Sequence, residues 1–178
     1  MARRETAARR YADAAFEIGR ADGTLDAWER DLGALREALA DERLRGLVEH
    51  PAVPFPEKER VVRGVVTGVS REALSLALLM IRRGRPAAID AMVERFAELV
   101  RRERGISLAE VRTARPLDPE QRTAIAERLR ALTGDRIEMN EVVDESLIGG
   151  VSVRIGDRLY DASVRSRLER LRARLTAV

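Results

Sequence analysis

Arg101-Arg102-Glu103-Arg104-Gly105-Ile106-Ser107-Leu108-Ala109-Glu110-Val111-Arg112-Thr113-Ala114 is the stretch on which the fold turns. Before Gly105 the apolar residues recur every three to four positions, the helical period. After it Ile106 to Ala114 reads as a strand. Glycine at the turning point suits a helix terminus. The chain therefore reads as two parts: an all-α part over residues 1–104 and a small α/β part over 105–178.

Working back from Gly105, helix six opens at Pro86 and carries Ile89, Met92, Val93, Phe96, Leu99 and Val100 on one face. Helix five, Ser70 to Arg82, is apolar almost all round, which marks a central buried element. Helix four takes Pro56 as its first residue, where the missing N–H costs nothing, and carries Val61, Val62, Val65 and Val66. Pro51, Pro54 and Pro56 make the segment before it a stiff loop. A short third helix with Leu44, Leu47 and Val48 stops at His50-Pro51. Helix two follows Thr24 and places Leu25, Trp28, Leu32, Leu35 and Leu39 at spacings of three and four. Helix one runs from about Arg3 to Gly19 and ends at Asp22-Gly23. Its faces carry Ala7, Tyr11, Ala14 and Ile18, and Ala8, Ala12 and Ala15.

Forward of Gly105, Asp118-Pro119-Glu120-Gln121 is a strong helix start. Asp118 is the N-cap, Pro119 the first helical residue, and Gln121 is placed to complete a capping box. Ile125, Leu129 and Leu132 share a face, and Gly134 stops the helix. A strand near Ile137 to Val143 and an alternating strand with Val151, Val153 and Ile155 follow. Gly156-Asp157 reads as a two-residue hairpin turn. The last helix carries Val164, Leu168, Leu171 and Leu175, spaced four, three and four like a heptad seam.

Composition narrows the function. The net charge is +3 in a chain that is 35% charged, so the surface is dense in both signs without the basic excess that a nucleic-acid binder needs. Aromatics are 3% of residues, so large aromatic-lined ligand pockets are not expected. There is no cysteine, which excludes disulfides and thiolate metal sites. The longest apolar run, Ala73 to Ile81, falls well short of the roughly 20 residues of a membrane span. The first turns are charged, so no signal peptide is expected, and membrane association is expected only through partners.

Residues that could carry chemistry are scattered. His50 is the only histidine and precedes a proline, a helix-end position. Gly149-Gly150 lacks the lysine and spacing of a phosphate loop and reads as a strand start with close backbone approach. Ser163 and Ser166 have no histidine partner nearby in sequence and no nucleophile elbow. The arginines at 165, 167, 170, 172 and 174 are spread around the last helix and interrupted by Glu169, which suits a solvated or partner-binding face. No catalytic, cofactor-binding or metal-binding residues are expected.

Ala8-Arg9-Arg10-Tyr11-Ala12-Asp13-Ala14-Ala15-Phe16, His50-Pro51-Ala52-Val53-Pro54 and Glu57-Lys58 are followed by Arg104-Gly105-Ile106 and Ala109-Glu110-Val111. Next come Val143-Asp144-Glu145-Ser146-Leu147-Ile148-Gly149-Gly150, then Val153-Arg154-Ile155-Gly156-Asp157, Asp161-Ala162-Ser163-Val164-Arg165 and Arg167-Leu168-Glu169-Arg170-Leu171. These strings resemble the delta subunit of F-type ATP synthases, the family of the mitochondrial oligomycin-sensitivity-conferring protein. The C-terminal strings are the most specific, and the resemblance covers the whole chain. His50 and Ala162 depart from the family's usual Asn and Gly.

The resemblance implies a mostly α protein, with an N-terminal six-helix bundle followed by a small C-terminal α/β domain. It implies a non-catalytic stator subunit without cofactor or ATPase activity. Such a subunit sits peripherally at the cytoplasmic face of the bacterial cell membrane. The N-terminal domain would bind the amino-terminal helix of an alpha subunit. Helices one and five would form that groove, which in this sequence points to Tyr11, Ala14, Ala15 and Ile18, and to Leu76, Leu79, Met80 and Arg83. The C-terminal domain would bind the b subunits of the peripheral stalk, with Val164, Leu168, Leu171 and Leu175 as the seam. Small residues on helix one also suit plain close packing between bundle helices. A helical adaptor of another multisubunit assembly is the alternative from the same pattern. An RNA-binding module is a third, separable by the steep salt dependence of phosphate binding.

Overall fold

The computed structural model describes residues 2–176, with side chains for 6–169 and 172. The chain divides into two compact units, Met1–Val100 and Arg101–Val178. Local punctuation sets the helices of the first. Helix α1 (Ala2–Ala21) closes with Thr24 N–H on the Gly19 carbonyl at 2.8 Å and Gly23 at φ +66°, a Schellman stop. After α2 (Leu25–Ala40), the Asp41 carboxylate accepts the Arg43 and Leu44 N–H groups at 2.9 and 3.0 Å and starts α3 (Glu42–Glu49). His50 ends α3, and its Nδ1 accepts the Ala52 N–H at 3.2 Å.

Helix α4 (Phe55–Val65) begins one residue earlier than expected, so Pro56 is its second residue. Either place leaves the missing N–H harmless. Ser70 caps α5 (Arg71–Arg82), its Oγ accepting the Ala73 N–H at 3.3 Å. Pro86 opens a 3-10 turn, Pro86–Ala88, and α6 (Ile89–Glu103) follows from it.

The core of this unit forms where small residues let helices approach. Ala8, Ala12 and Ala15 of α1 are buried, and α1 packs on α2 and α5. Gly19 is the tightest point. A Cβ there would stand 2.9 Å from Cδ1 of Trp28, so the indole lies directly on the α1 backbone. Phe96 of α6 meets Phe16 edge-on at 6.5 Å and Trp28 at 6.3 Å between ring centroids, separations at which aromatic pairs attract beyond their area burial.

One acid lies among these apolar groups. Asp31, on the buried side of α2, is 2% exposed. Its carboxylate accepts the Ser70 N–H at 2.8 Å and the Arg30 guanidinium at 3.3 Å. Burial alone would raise its pKa. The bonds from Ser70 and the charge of Arg30 outweigh burial and hold the carboxyl below its usual range. Asp31 thereby ties α2 to the first turn of α5.

The second unit is a four-stranded sheet in the order β2-β1-β3-β4, where β1 is Ile106–Thr113, β2 Arg136–Val143, β3 Val151–Ile155 and β4 Arg158–Asp161. Strands β1 and β2 are parallel and need a crossover, which α7 (Pro119–Thr133) supplies. Asp118 and Gln121 make the reciprocal capping box expected of them. Gly156, at φ +55°, turns β3 into β4. Ala109, Val111 and Val153 pack with Leu129 of α7. Leu132 shares an azimuth with Ile125 yet is exposed, so the contact ends a turn before the helix does. Helix α8 (Val164–Thr176) follows β4.

Asp31→Asn should lower the stability of the chain by about 1–3 kcal/mol at pH 7, the scale of losing a charged acceptor for a buried donor. Because the folded pKa is depressed, the wild-type advantage is complete above the ordinary aspartate pKa of about 3.9. It fades as pH falls through the lower folded value. Urea midpoints of both proteins at pH 7 and pH 3 measure it. Equal midpoints at pH 7 would mean that Asp31 contributes nothing to the joint with α5.

Candidate partner-binding surfaces

The polar residues that could suggest chemistry have local structural work. Ser163 is 3% exposed, and its Oγ accepts the Ser166 N–H at 3.2 Å, capping α8. His50 closes α3. Among the described residues, no three His, Asp or Glu side chains gather as a metal site would require. No described helix is long and apolar enough to cross a membrane. What the two units do present is apolar side chains left outside their cores.

On the first unit these are Val65 at the end of α4, 54% exposed and not turned into the core with Val62 and Val66, and residues of α1 and α5, two helices that pack on each other. Ile18 is 48% exposed and Leu79 41% exposed. Ala14 and Arg83 are exposed, and Tyr11 and Leu76 are part-buried against the core. Two of the residues expected to line this surface do not. Ala15 is 1% exposed and Met80 is fully buried, both within the core cluster. Each stands next to an exposed residue, and successive helical residues point about 100° apart. Ala15 and Met80 support the surface from inside. Ala7, Ala8 and Ala12 are likewise buried, so those small residues serve close packing within the unit. The exposed part is Ala14, Ile18, Leu79 and Arg83, with Tyr11 and Leu76 half-buried at its base.

On the second unit exposed apolar side chains are spread over Leu108, Leu132, Val143, Ile148 and Leu159, and α8 adds the first two residues of the expected seam. Val164 is 36% and Leu168 is 54% exposed. Leu171 and Leu175, the rest of the expected seam, lie outside the residues whose side chains are described. Arg165, Arg167, Glu169 and Arg172 are exposed around the helix. Ile148, 69% exposed, escaped the sequence reading. It precedes Gly149, whose carbonyl accepts the Val164 N–H at 2.9 Å, so it sits beside the start of the seam. An isolated isoleucine in a loop has no periodicity to mark it. The flanking aspartate has a fixed role: Asp144 accepts both the Ser146 N–H and the Ser146 hydroxyl. These bonds, with Arg112 and Arg165 nearby, hold its pKa below the usual range against slight desolvation.

Comparison with known proteins agrees with a surface-binding rather than a chemical role. Residues 7–175 match the family model described as ATP synthase delta (OSCP) subunit. The chain is 40% identical to ATP synthase subunit delta of Salinibacter ruber, over 96% of this chain and 90% of that protein. It is 38% identical to ATP synthase subunit delta of Heliobacterium modesticaldum, over 94% and 92%. Among solved structures it resembles a chain of the Toxoplasma gondii mitochondrial ATP synthase hexamer. That likeness has a TM-score of 0.68 at 25% identity, over 96% of this chain and 98% of that one.

The burial pattern separates Ala14 from Ala15. Ala14→Glu should change the stability by no more than about 0.5 kcal/mol, because an exposed helical site accepts Glu. Ala15→Glu should lose at least about 3 kcal/mol or fail to fold, because it buries an unpaired carboxylate. Thermal melts of the two variants decide this, and similar losses in both would overturn the assignment of inside and outside on α1.

Proposed function

The chain belongs to the ATP synthase delta (OSCP) subunit family, and on that premise we propose that its two exposed apolar surfaces are the two ends of a mechanical link. It is a non-catalytic stator subunit of the peripheral stalk, and its contribution to ATP synthesis is to resist rotation. In this reading the first unit acts as a six-helix bundle, over about residues 1–104, that seats the amino-terminal helix of an alpha subunit of the catalytic head. The second, 105–178, holds the b subunits of the stalk through α8. As part of that complex the subunit is peripheral to the membrane, and the link works at the cytoplasmic face.

One observation carries the assignment of the head-binding site. Two packed neighbours, α1 and α5, leave Ile18 and Leu79 outside while burying the residues beside them. An amphipathic partner helix recognises such a surface by laying its apolar ridge between the two. Arg83 at the C-terminal end of α5 gives that surface a charged rim. On the second unit, Val164 and Leu168 with Ile148 make a shorter apolar strip. Neither contact needs a covalent bond to withstand torque. It needs slow dissociation, which a desolvated apolar centre provides.

A synthetic peptide of the cognate alpha-subunit amino terminus, titrated by calorimetry, should bind the wild type. Ala14→Glu and Leu79→Glu should each weaken it by about tenfold or more, the cost of burying a charge at an apolar contact. Raising salt from 50 to 200 mM should change the affinity by less than about fivefold, whereas a contact to many phosphates would lose roughly 10³ or more. Unchanged binding in both folded variants would remove the α1/α5 surface from the head contact.

A further inference from the structure

The Gly149-Gly150 pair is invisible to a reading based on exposed apolar surface, yet Gly150 is the most crowded of the glycines. A Cβ on it would lie 2.6 Å from the Ala162 carbonyl oxygen and 2.9 Å from Cα of Ser163. Both neighbours are backbone, so neither can swing aside. The residue also sits at φ +81°, where only glycine is free of strain. Two hydrogen bonds clamp the crossing on either side. Val164 N–H donates to the Gly149 carbonyl and Ala162 N–H to the Val151 carbonyl, each at 2.9 Å.

The other half of the crossing is equally determined. Ser163 is buried, its N–H donates to Asp161 Oδ1 at 2.9 Å, and its Oγ caps the first turn of α8. The Arg165 guanidinium donates to the Ser146 carbonyl at 3.2 Å. After this first turn the described side chains of α8 are mostly exposed.

We infer that Gly150 and Ser163 are positioning residues: their crossing fixes the direction in which α8 leaves the sheet and so how the Val164/Leu168 strip meets its partner. This deepens the reading of α8 as the stalk-binding element and rests on it. Leverage makes the joint matter. Helix α8 has 13 residues, about 20 Å at 1.5 Å per residue, so a tilt of about 20° at its base moves its far end by about 7 Å. A shift of that size takes a side chain out of any hole it fills.

The chain has no cysteine, so spin labels can be placed at will on the full-length protein through Glu138→Cys on β2 and Glu169→Cys on α8. A matched control exists in Gly134. It has φ +79° and nothing within 4 Å of its Cβ position, so Gly134→Ala adds strain without collision. Gly134→Ala should lower Tm while leaving the label–label distances unchanged. Its Kd for a purified carboxy-terminal segment of the b subunit should stay within twofold of wild type. Gly150→Ala should shift or broaden the distances and raise that Kd at least tenfold. Should Gly150→Ala not fold, Ser163→Ala replaces it. Ser163 is buried and cannot touch the partner directly, so it should broaden the distances and weaken binding in the same sense. Leu168→Glu tests the underlying reading, with weaker binding expected at unchanged distances. If Leu168→Glu weakens binding but the Gly150 or Ser163 variant behaves like Gly134→Ala, the joint is refuted and the α8 reading stands. If Leu168→Glu binds normally, the α8 reading falls, and with it this inference.

Discussion

Phe96 stands where α6 meets α1 and α2, and the first unit is organised around that meeting. Two of the chain's three phenylalanines and its one tryptophan converge there. The remaining phenylalanine, Phe55, lies under the Arg82 guanidinium at 5.7 Å. In a chain so poor in aromatics, one cluster sets the helix spacing. Trp28 can reach Phe96 only because Gly19 lets the indole touch the α1 backbone. Once α1 is drawn in, Ala8, Ala12 and Ala15 are committed to the interior. Ala14 and Ile18 are turned outward by the same rotation. The outward face is thus a by-product of how the inward one is satisfied.

The second unit is built on a different balance. Among the described residues, Ala109, Val111, Leu129 and Val153 form its buried apolar centre, a small core for a unit of this length. Definition comes from polar geometry instead: the Asp118–Gln121 box, the Asp144–Ser146 bonds and the Ser163 cap. The outer sheet face carries the Glu110–Arg112 pair, with Arg112 reaching toward Asp144. Large apolar residues stay outside at Ile148, Leu159 and Leu168.

What could be read from sequence was what is decided locally. Prolines, glycines and the Asp118 box mark helix ends within a residue or two, because caps depend on neighbours three or four positions away. The switch from helical to strand period at Gly105 needs only the adjacent residues. Inside and outside on α5 were not legible. A helix apolar all round has no contrast for periodicity to detect, so Leu79 and Met80 looked alike until packing chose between them. Asp31 was hidden for the opposite reason. An acid on a charged helix reads as solvated, and its partner Ser70 lies 39 residues away. Gly150 could be read as a close approach, but not as to what it approached.

The burial of Trp28 has a spectroscopic consequence. The second unit contains no tryptophan, and the two tyrosines, Tyr11 and Tyr160, fall one in each unit. Indole emission excited at the red edge therefore comes from one site, sealed against Phe96 and Gly19, with the sheet and α8 dark. Fluorescence follows the melting of the helical unit alone, while far-ultraviolet dichroism sums both. Overlay of the two traces on heating separates a molecule that comes apart in one step from one whose halves let go in turn.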